Sequence, residues 1–218
     1  MNFANILTLF RIILAPAFLI IYLLPKSGAF WAIPVLWVIF IISEITDFFD
    51  GLAARKLNLT SDFGKLFDPF ADTLVQITCF LCFIIDGIWG EGIFPVILFL
   101  LVIYREFAIL FLRNLMLKEG VTLGARMCGK VKTVFYIIAA GTALLAASLE
   151  RLIFIPAAAN TQIMNAREIL LPYFKTGSLV IFILSVCLAV ISFIDYLAIY
   201  LKTKNTRAAL AASKQEKL

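Results

Sequence analysis

Four aspartates stand at the ends of two apolar stretches. Asp47 and Asp50 end one stretch, and Asp68 and Asp72 begin the next. The spacing of three or four residues places each pair on one face of a helix. Because a charge at the centre of a bilayer costs roughly 2.5–3.5 kcal/mol, these carboxylates should face protein, water or a cation. Converging carboxylates are oxygen ligands of the kind that Mg²⁺, Mn²⁺ or Ca²⁺ prefers, so the spacing predicts a divalent-cation site.

Small residues share the faces of these aspartates. Gly51 and Ala54 follow the first pair at helical spacing, and Gly64 precedes the second pair. Little side-chain bulk there would let a ligand approach the backbone closely. Arg55 comes directly afterwards and would neutralise a phosphate. The alternative is a structural acid–base network, but Arg55 is a single nearby cation against four carboxylates.

The elements that must position these residues are apolar helices. Of the 218 residues, 63% are hydrophobic and 15% are charged, and the mean hydropathy is +1.03. Soluble domains average about 25% charged residues, so this composition excludes an ordinary soluble domain. The pattern predicts an all-α integral membrane protein with six transmembrane helices. The predicted spans are Ile6–Leu24, Phe30–Leu52, Phe63–Ile85, Ile93–Leu117, Val131–Leu149 and Leu179–Leu201.

The second and third spans are joined by a short connection, which predicts an antiparallel neighbouring pair. Asp50 and Asp68 would then lie at equal depth, about 10 Å below the connecting loop, because a helix rises about 1.5 Å per residue. The two acidic faces should therefore converge.

Six spans place both termini on one side of the membrane, and the positive-inside rule predicts that this side is cytoplasmic. The cytoplasmic side would carry the larger set of cations: Arg11, Arg55, Lys56, Lys65, Lys118, Arg126, Lys130, Lys132, Lys202, Lys204, Arg207, Lys214 and Lys217. The other side would carry Lys26, Arg151, Arg167 and Lys175. We expect one transmembrane domain over residues 1–202, an interrupted stretch at 151–172 along the outer interface, and a polar, mobile cytoplasmic tail at 203–218.

Several other chemistries are excluded or disfavoured. The chain has no histidine, so it has no imidazole base or imidazole metal ligand. Cys79 and Cys82 form a C-x-x-C inside an apolar run, where they are expected to act as small hydrophobic side chains. The net charge of +5 is accounted for by the loops and by anionic lipids, so no nucleic-acid partner is expected.

The acidic motifs resemble the signature of the CDP-alcohol phosphotransferase family at eight fixed positions over 26 residues. The pattern is Asp47-x-x-Asp50-Gly51-x-x-Ala54-Arg55, then eight residues, then Gly64-x-x-x-Asp68-x-x-x-Asp72. Members of this family are membrane enzymes of about six helices. They move a phosphatidyl or similar group from a CDP-alcohol to an acceptor hydroxyl and release CMP.

The resemblance implies roles for the matching residues. Two divalent cations, Mg²⁺ or Mn²⁺, would be held by Asp47, Asp50, Asp68 and Asp72. Asp72 would also be the catalytic base on the acceptor hydroxyl. The CDP donor would be bound by Asp47, Asp50, Gly51, Ala54, Arg55 and Gly64.

Within the family, three further segments resemble bacterial phosphatidylglycerophosphate synthases: residues 5–11, Arg105-Glu106-Phe107 and residues 129–133. This likeness implies CDP-diacylglycerol as donor, sn-glycerol 3-phosphate as acceptor, and a homodimer in the bacterial cytoplasmic membrane with its site facing the cytoplasm. The chain departs from many such synthases at Thr73, where they have Lys, and at Tyr136, where they have Gln.

A group of cations near the ends of the fourth and fifth spans suits an anionic acceptor. The expected acceptor-phosphate ligands are Arg113, Lys130, Arg105 and Lys132. Alternatives remain for some of these cations. The two lysines would also serve as membrane anchors, and Arg105 with Glu106 would also form a structural ion pair. Arg11 would either join the site or extend to the interface.

Two other functions remain open at this point. An inositol-phosphate acceptor, or a cardiolipin synthase using phosphatidylglycerol, would fit the same donor half. A divalent-cation transporter would use the acidic helices as an ion site, but it would have no reason to keep the Gly-x-x-Ala-Arg spacing.

Overall fold

The computed structural model describes the backbone of residues 3–26, 31–57, 62–118, 127–154 and 161–215. Side chains are described for residues 5–26, 31–47, 67–116, 131–154 and 161–204. These residues form helices and no strand, which confirms the all-α prediction. The helices are α1 Phe3–Tyr22, α2 Ala32–Leu57, α3 Asp62–Ile85, α4 Ile93–Lys118, α5 Met127–Arg151, a 3₁₀ turn Leu152–Phe154, and α6 Thr161–Gln215.

The first five helices lie where the apolar segments predicted them, within a few residues at each end. The last helix differs. It begins at Thr161, continues through Pro172 and ends at Gln215, so the interruption expected at 151–172 is wrong for residues 161–172. A proline is tolerated inside a helix of this kind because neighbouring helices and side chains satisfy the backbone group that it frees. The helix also passes through residue 202 without a break, so no change of secondary structure marks the proposed tail.

Five helices in the described part of the chain are long and apolar enough to cross a membrane. These stretches are Asn5–Tyr22, Phe67–Ile85, Ile93–Met116, Val131–Phe154 and Thr161–Lys204. The protein is therefore an integral membrane protein. The sixth span, expected in α2, and the cytoplasmic placement of the termini stay predictions.

Helix α1 organises one half of the bundle. It packs against both α2 and α3, whereas α2 and α3 have little direct contact with each other among the described residues. The direct pairing expected of α2 and α3 is therefore not what holds their described parts together. The other half is built on α6, which packs against α5 and α4.

The core is an aromatic cluster of α3, α5, α6 and the turn after α3. The Trp89 ring stacks on Phe182 with centroids 4.0 Å apart and an interplanar angle of 8°. Its indole N–H donates to Ser178 Oγ at 3.1 Å, and both residues are buried. Cys79 and Cys82 are buried free thiols in this core, as expected of small hydrophobic side chains.

A polar clamp closes the end of the bundle away from the aspartates. Lys26 pairs with Asp86 at 3.0 Å and with Glu150 at 3.3 Å, and Lys175 also pairs with Glu150. These contacts join the chain after α1 to the ends of α3 and α5 and to α6. They tie α1, α3, α5 and α6 together at this end of the bundle.

Candidate functional site

Two of the four aspartates meet at an arginine of α1. Arg11 Nη1 donates to Asp47 Oδ1 at 2.7 Å and also to Asp72 Oδ1. The arginine is 2% exposed, whereas the two carboxylates are 44% and 45% exposed. Arg11 therefore does not extend to the interface. It draws a carboxylate of α2 and a carboxylate of α3 to one point, and this local arrangement brings the two predicted motifs together.

The third aspartate is held by the same face of α1. Thr8, one turn before Arg11, donates its hydroxyl to Asp68 Oδ1 at 2.5 Å. Asp50, Gly51, Ala54, Arg55, Gly64 and Lys130 lie on α2, α3 and α5, but their side chains are outside the described residues. Their predicted roles therefore stay predictions.

The chemistry of the donor set fits a divalent cation. Asp47 and Asp72 share one nitrogen of Arg11, so they are close enough for a single ion to bind both, and carboxylate oxygens are the ligands that Mg²⁺ and Mn²⁺ prefer. Among the described side chains, no group of three or more acidic or thiol ligands is gathered at one point.

A cavity of about 250 Å³ opens beside the two aspartates. Its lining includes Arg11, Asp47 and Asp72, and a second group of charged residues formed by Arg105, Glu106, Arg113 and Lys132. Carboxylates and cations that were predicted from separate stretches of the chain therefore face one space. Such a space accommodates an anionic molecule whose other end must reach a carboxylate.

Arg105 is largely occupied by the fold. Its Nη1 donates to both oxygens of Glu106 at 2.9 Å, and its Nε and Nη2 donate to Ala189 O and Ser192 Oγ of α6 at 3.1 Å. The structural ion pair with Glu106 is therefore present. This residue joins α4 to α6, and few of its donors remain for a ligand.

Lys132 and Arg113 are better placed to bind an anion. Lys132 Nζ donates to Glu106 at 2.6 Å, which leaves further N–H donors on its ammonium group. Arg113 Nη2 donates to the Tyr196 hydroxyl at 3.2 Å. Arg113 Nε is buried and has no hydrogen-bond partner among the described residues. A buried N–H without an acceptor is costly, so a bound anion would stabilise it.

Four polar residues that line the cavity were missed by sequence reasoning: Ser43, Glu44, Gln76 and Tyr196. Helical spacing could have identified two of them. Glu44 precedes Asp47 by three residues, and Gln76 follows Asp72 by four, so each shares a face with an aspartate. Tyr196 lies far along the chain on α6, and no spacing rule connects it to the motifs.

The chain is similar to several named bacterial proteins. It is 38% identical over 160 residues to the CDP-diacylglycerol–glycerol-3-phosphate 3-phosphatidyltransferase of Treponema pallidum, covering 73% of this chain and 67% of that protein. It is 37% identical over 156 residues to the protein of the same name from Bacillus subtilis, covering 66% and 77%. It is 34% identical over 140 residues to a probable phosphatidylglycerophosphate synthase of Mycobacterium tuberculosis, covering 64% of each chain.

The family comparison covers most of the chain. Residues 1–171 match the model of the CDP-alcohol phosphatidyltransferase family, and this range contains both acidic motifs and every residue that lines the cavity except Tyr196. The site therefore falls inside the matched region. With relatives above 30% identity over most of its length, the chain belongs to the CDP-alcohol phosphatidyltransferase family.

Proposed function

We propose that the protein is a phospholipid-synthesising enzyme that transfers the phosphatidyl group of CDP-diacylglycerol to a hydroxyl of sn-glycerol 3-phosphate. The products are phosphatidylglycerophosphate and CMP. One observation carries this proposal: Asp47 and Asp72 line the same cavity as Arg105, Arg113 and Lys132. An acceptor with a phosphate at one end and a hydroxyl at the other would bridge the two.

The charge of the second group of lining residues suits a phosphate monoester. This group contains three cations and one carboxylate, Glu106, which leaves a surplus of two positive charges. A phosphate monoester carries about −1.5 to −2 charge at pH 7. Serine or choline would bring a cationic group to these residues and would be repelled.

The volume of the cavity supports a small acceptor. At about 250 Å³, it lies below the range of roughly 300–1,000 Å³ that is typical of small-molecule sites. A three-carbon phosphate fits within this volume.

We assign the binding site of the CDP donor to the C-terminal part of α2 and the N-terminal part of α3. Asp47, Asp50, Gly51, Ala54, Arg55 and Gly64 would bind CDP, and Asp47, Asp50, Asp68 and Asp72 would hold two divalent ions. The family generally depends on divalent metal, and the oxygen ligands favour Mg²⁺ or Mn²⁺. Ions held by these carboxylates would supply positive charge to the diphosphate and to the departing CMP.

Asp72 would act as the general base. Its carboxylate takes the proton from the acceptor hydroxyl, the hydroxyl oxygen forms a bond to the lipid-side phosphorus, and the bond from that phosphorus to the CMP oxygen breaks. Arg113 and Lys132 hold the acceptor phosphate so that its hydroxyl faces Asp72, and Lys130 is assigned to the same phosphate. Arg105 positions these groups through Glu106. Most of the rate would come from this alignment and from charge neutralisation.

The donor's acyl chains lie in the bilayer, while cytidine and the acceptor are water-soluble. A site near the end of the bundle lets both reach one phosphorus. We place that end at the cytoplasmic face of a bacterial membrane and expect a homodimer, which light scattering of the purified protein in detergent measures.

The test is CMP release from CDP-diacylglycerol by purified protein with Mg²⁺, Mn²⁺ or EDTA. The acceptors compared are sn-glycerol 3-phosphate, inositol phosphate, phosphatidylglycerol, serine and none. We expect CMP only with glycerol 3-phosphate and only with a divalent ion. Preference for another acceptor would change the assignment, and cation flux without CMP would favour a transporter.

A further inference from the structure

Three polar side chains line the cavity and make no hydrogen bond to Arg11 or to the cations Arg105, Arg113 and Lys132. They are Ser43 and Glu44 of α2 and Gln76 of α3. Ser43 is 3% exposed, and its hydroxyl has no partner among the described residues. In the same part of the chain, neither Glu44 nor Gln76 makes a side-chain hydrogen bond. Three polar groups that face one space without a hydrogen-bond partner among the described residues point to a ligand.

These three residues form a layer one helical turn from the aspartates, called here the polar floor. Glu44 is three residues before Asp47, and Gln76 is four residues after Asp72, so each lies about 4.5–6 Å along its helix. Because consecutive spanning helices run in opposite directions, both steps lead the same way, deeper into the bundle. The polar floor therefore lies beneath the place where the reacting hydroxyl must sit.

The chemistry of the polar floor selects for a neutral hydroxyl. The Glu44 carboxyl, the Ser43 hydroxyl and the Gln76 amide all form hydrogen bonds with a hydroxyl group. A phosphate is already matched by Arg113 and Lys132. A hydroxyl can donate to Glu44 and accept from Ser43 or Gln76.

We infer that Ser43, Glu44 and Gln76 bind the non-reacting hydroxyl on the middle carbon of the acceptor. This inference rests on the proposed function, since it takes glycerol 3-phosphate as the acceptor. With the phosphate at Arg113 and Lys132 and the attacking hydroxyl at Asp72, one hydroxyl of the acceptor is left without a protein partner. The polar floor supplies one, and it fixes which hydroxyl reaches the donor.

The test compares two acceptors that differ by one group. 3-Hydroxypropyl phosphate keeps the phosphate and the terminal hydroxyl of glycerol 3-phosphate and lacks only the middle hydroxyl. For the wild type, kcat/KM should favour glycerol 3-phosphate by about ten- to a hundredfold, as expected for hydrogen bonds to a charged group. In Glu44→Leu and Gln76→Leu this ratio should fall several-fold, because only the reaction of glycerol 3-phosphate becomes slower.

A matched control lies on the same helix. Thr46 donates its hydroxyl to Ile42 O and Ser43 O of its own helix at 2.8 and 2.9 Å and does not line the cavity. Thr46→Val should leave the ratio unchanged. If a leucine variant does not fold, Glu44→Gln and Ser43→Ala keep the shape of the site and should still lower the ratio.

The possible failures are distinct. An unchanged ratio in active Glu44→Leu and Gln76→Leu would overturn the polar floor and leave the proposed function standing. Equal loss with both acceptors, together with a raised Mg²⁺ requirement in Glu44→Gln, would make Glu44 a metal ligand and would also overturn it. No CMP from the wild type with either acceptor would overturn the proposed function itself.

Discussion

The Asp72 carboxylate has two roles in the proposed site. It shares Arg11 with Asp47, and it lines the cavity in which the acceptor is proposed to bind. A general base contributes about 10²–10⁴-fold to a rate, so we expect Asp72→Asn to lower CMP release by at least that factor. The exposed Glu168 of α6 provides a control, and Glu168→Gln should retain full activity. If Asp72→Asn keeps more than about a tenth of the wild-type rate, the base lies elsewhere.

Arg11 supplies the positive charge between the two carboxylates. In Arg11→Met, Asp47 and Asp72 would face each other without that cation, so the variant should unfold more easily in EDTA, by on the order of 1–3 kcal/mol. A divalent ion would then replace the lost charge. We therefore expect Mg²⁺ to raise the melting temperature of Arg11→Met more than that of the wild type.

Thermal unfolding in detergent, with and without Mg²⁺, measures this difference. Arg11→Lys keeps a charge at the position and should lie between the two proteins. An equal Mg²⁺ shift in all three would show that Arg11 does not substitute for an ion between the carboxylates.

The aspartates could be identified from the sequence because signature spacing and helical periodicity are both patterns within one or two helices. It could not decide the role of Arg11, since that depends on α1 lying against both α2 and α3. Tyr196 was missed for the same reason, because its contact with Arg113 joins residues far apart in the chain. Glu44 and Gln76 were within reach of the periodicity and show that polar residues one turn from a motif carry information.

At the scale of helices, Arg105 and Arg113 are both arginines of α4, but their contacts differ. Arg105 donates to Glu106 of α4 and to two groups of α6, whereas Arg113 has a buried Nε without a partner among the described residues. Breaking a buried ion pair costs about 3–5 kcal/mol, so Arg105→Met should lower the melting temperature clearly. Arg113→Met should instead raise the KM for glycerol 3-phosphate by tenfold or more.

The two variants are compared by thermal unfolding and by steady-state kinetics on the same preparations. A loss of stability in Arg113→Met as large as that in Arg105→Met, with no change in KM, would assign both arginines to the fold. The separation of roles depends on the contacts of α4 with α6, which the order of apolar segments does not contain. Hydrophobic runs predicted where the helices lie, but they did not predict which helix packs on which.

At the scale of the whole molecule, the two ends of the bundle differ in chemistry. The aspartates and the cavity lie at one end, and the clamp of Lys26, Asp86, Glu150 and Lys175 closes the other. Between them, many large apolar side chains are exposed on the outer faces of the helices, as lipid contact requires. The distribution of charged residues in the sequence already predicted two chemically different sides. It did not predict the clamp, whose four residues come from separate parts of the chain.

Helix α6 provides a direct test of the membrane topology. Its 55 residues span about 80 Å at about 1.5 Å per residue, whereas the hydrocarbon core is about 30 Å thick, so the helix is long enough to extend beyond the core at both ends. Thr161 lies past the clamp end, and Lys204 lies toward the other end; both are exposed. If the termini are cytoplasmic, these two positions lie on opposite sides of the membrane.

The measurement uses single cysteines at these positions in a background with Cys79, Cys82, Cys128 and Cys187 replaced. In intact bacterial cells, a membrane-impermeant maleimide should label Thr161→Cys, and it should label Lys204→Cys only after permeabilisation. Retained CMP release shows that the variants are folded. Labelling of Lys204→Cys in intact cells would place the C-terminus outside, and the proposed site would then face away from the cytidine donor and the soluble acceptor that it needs.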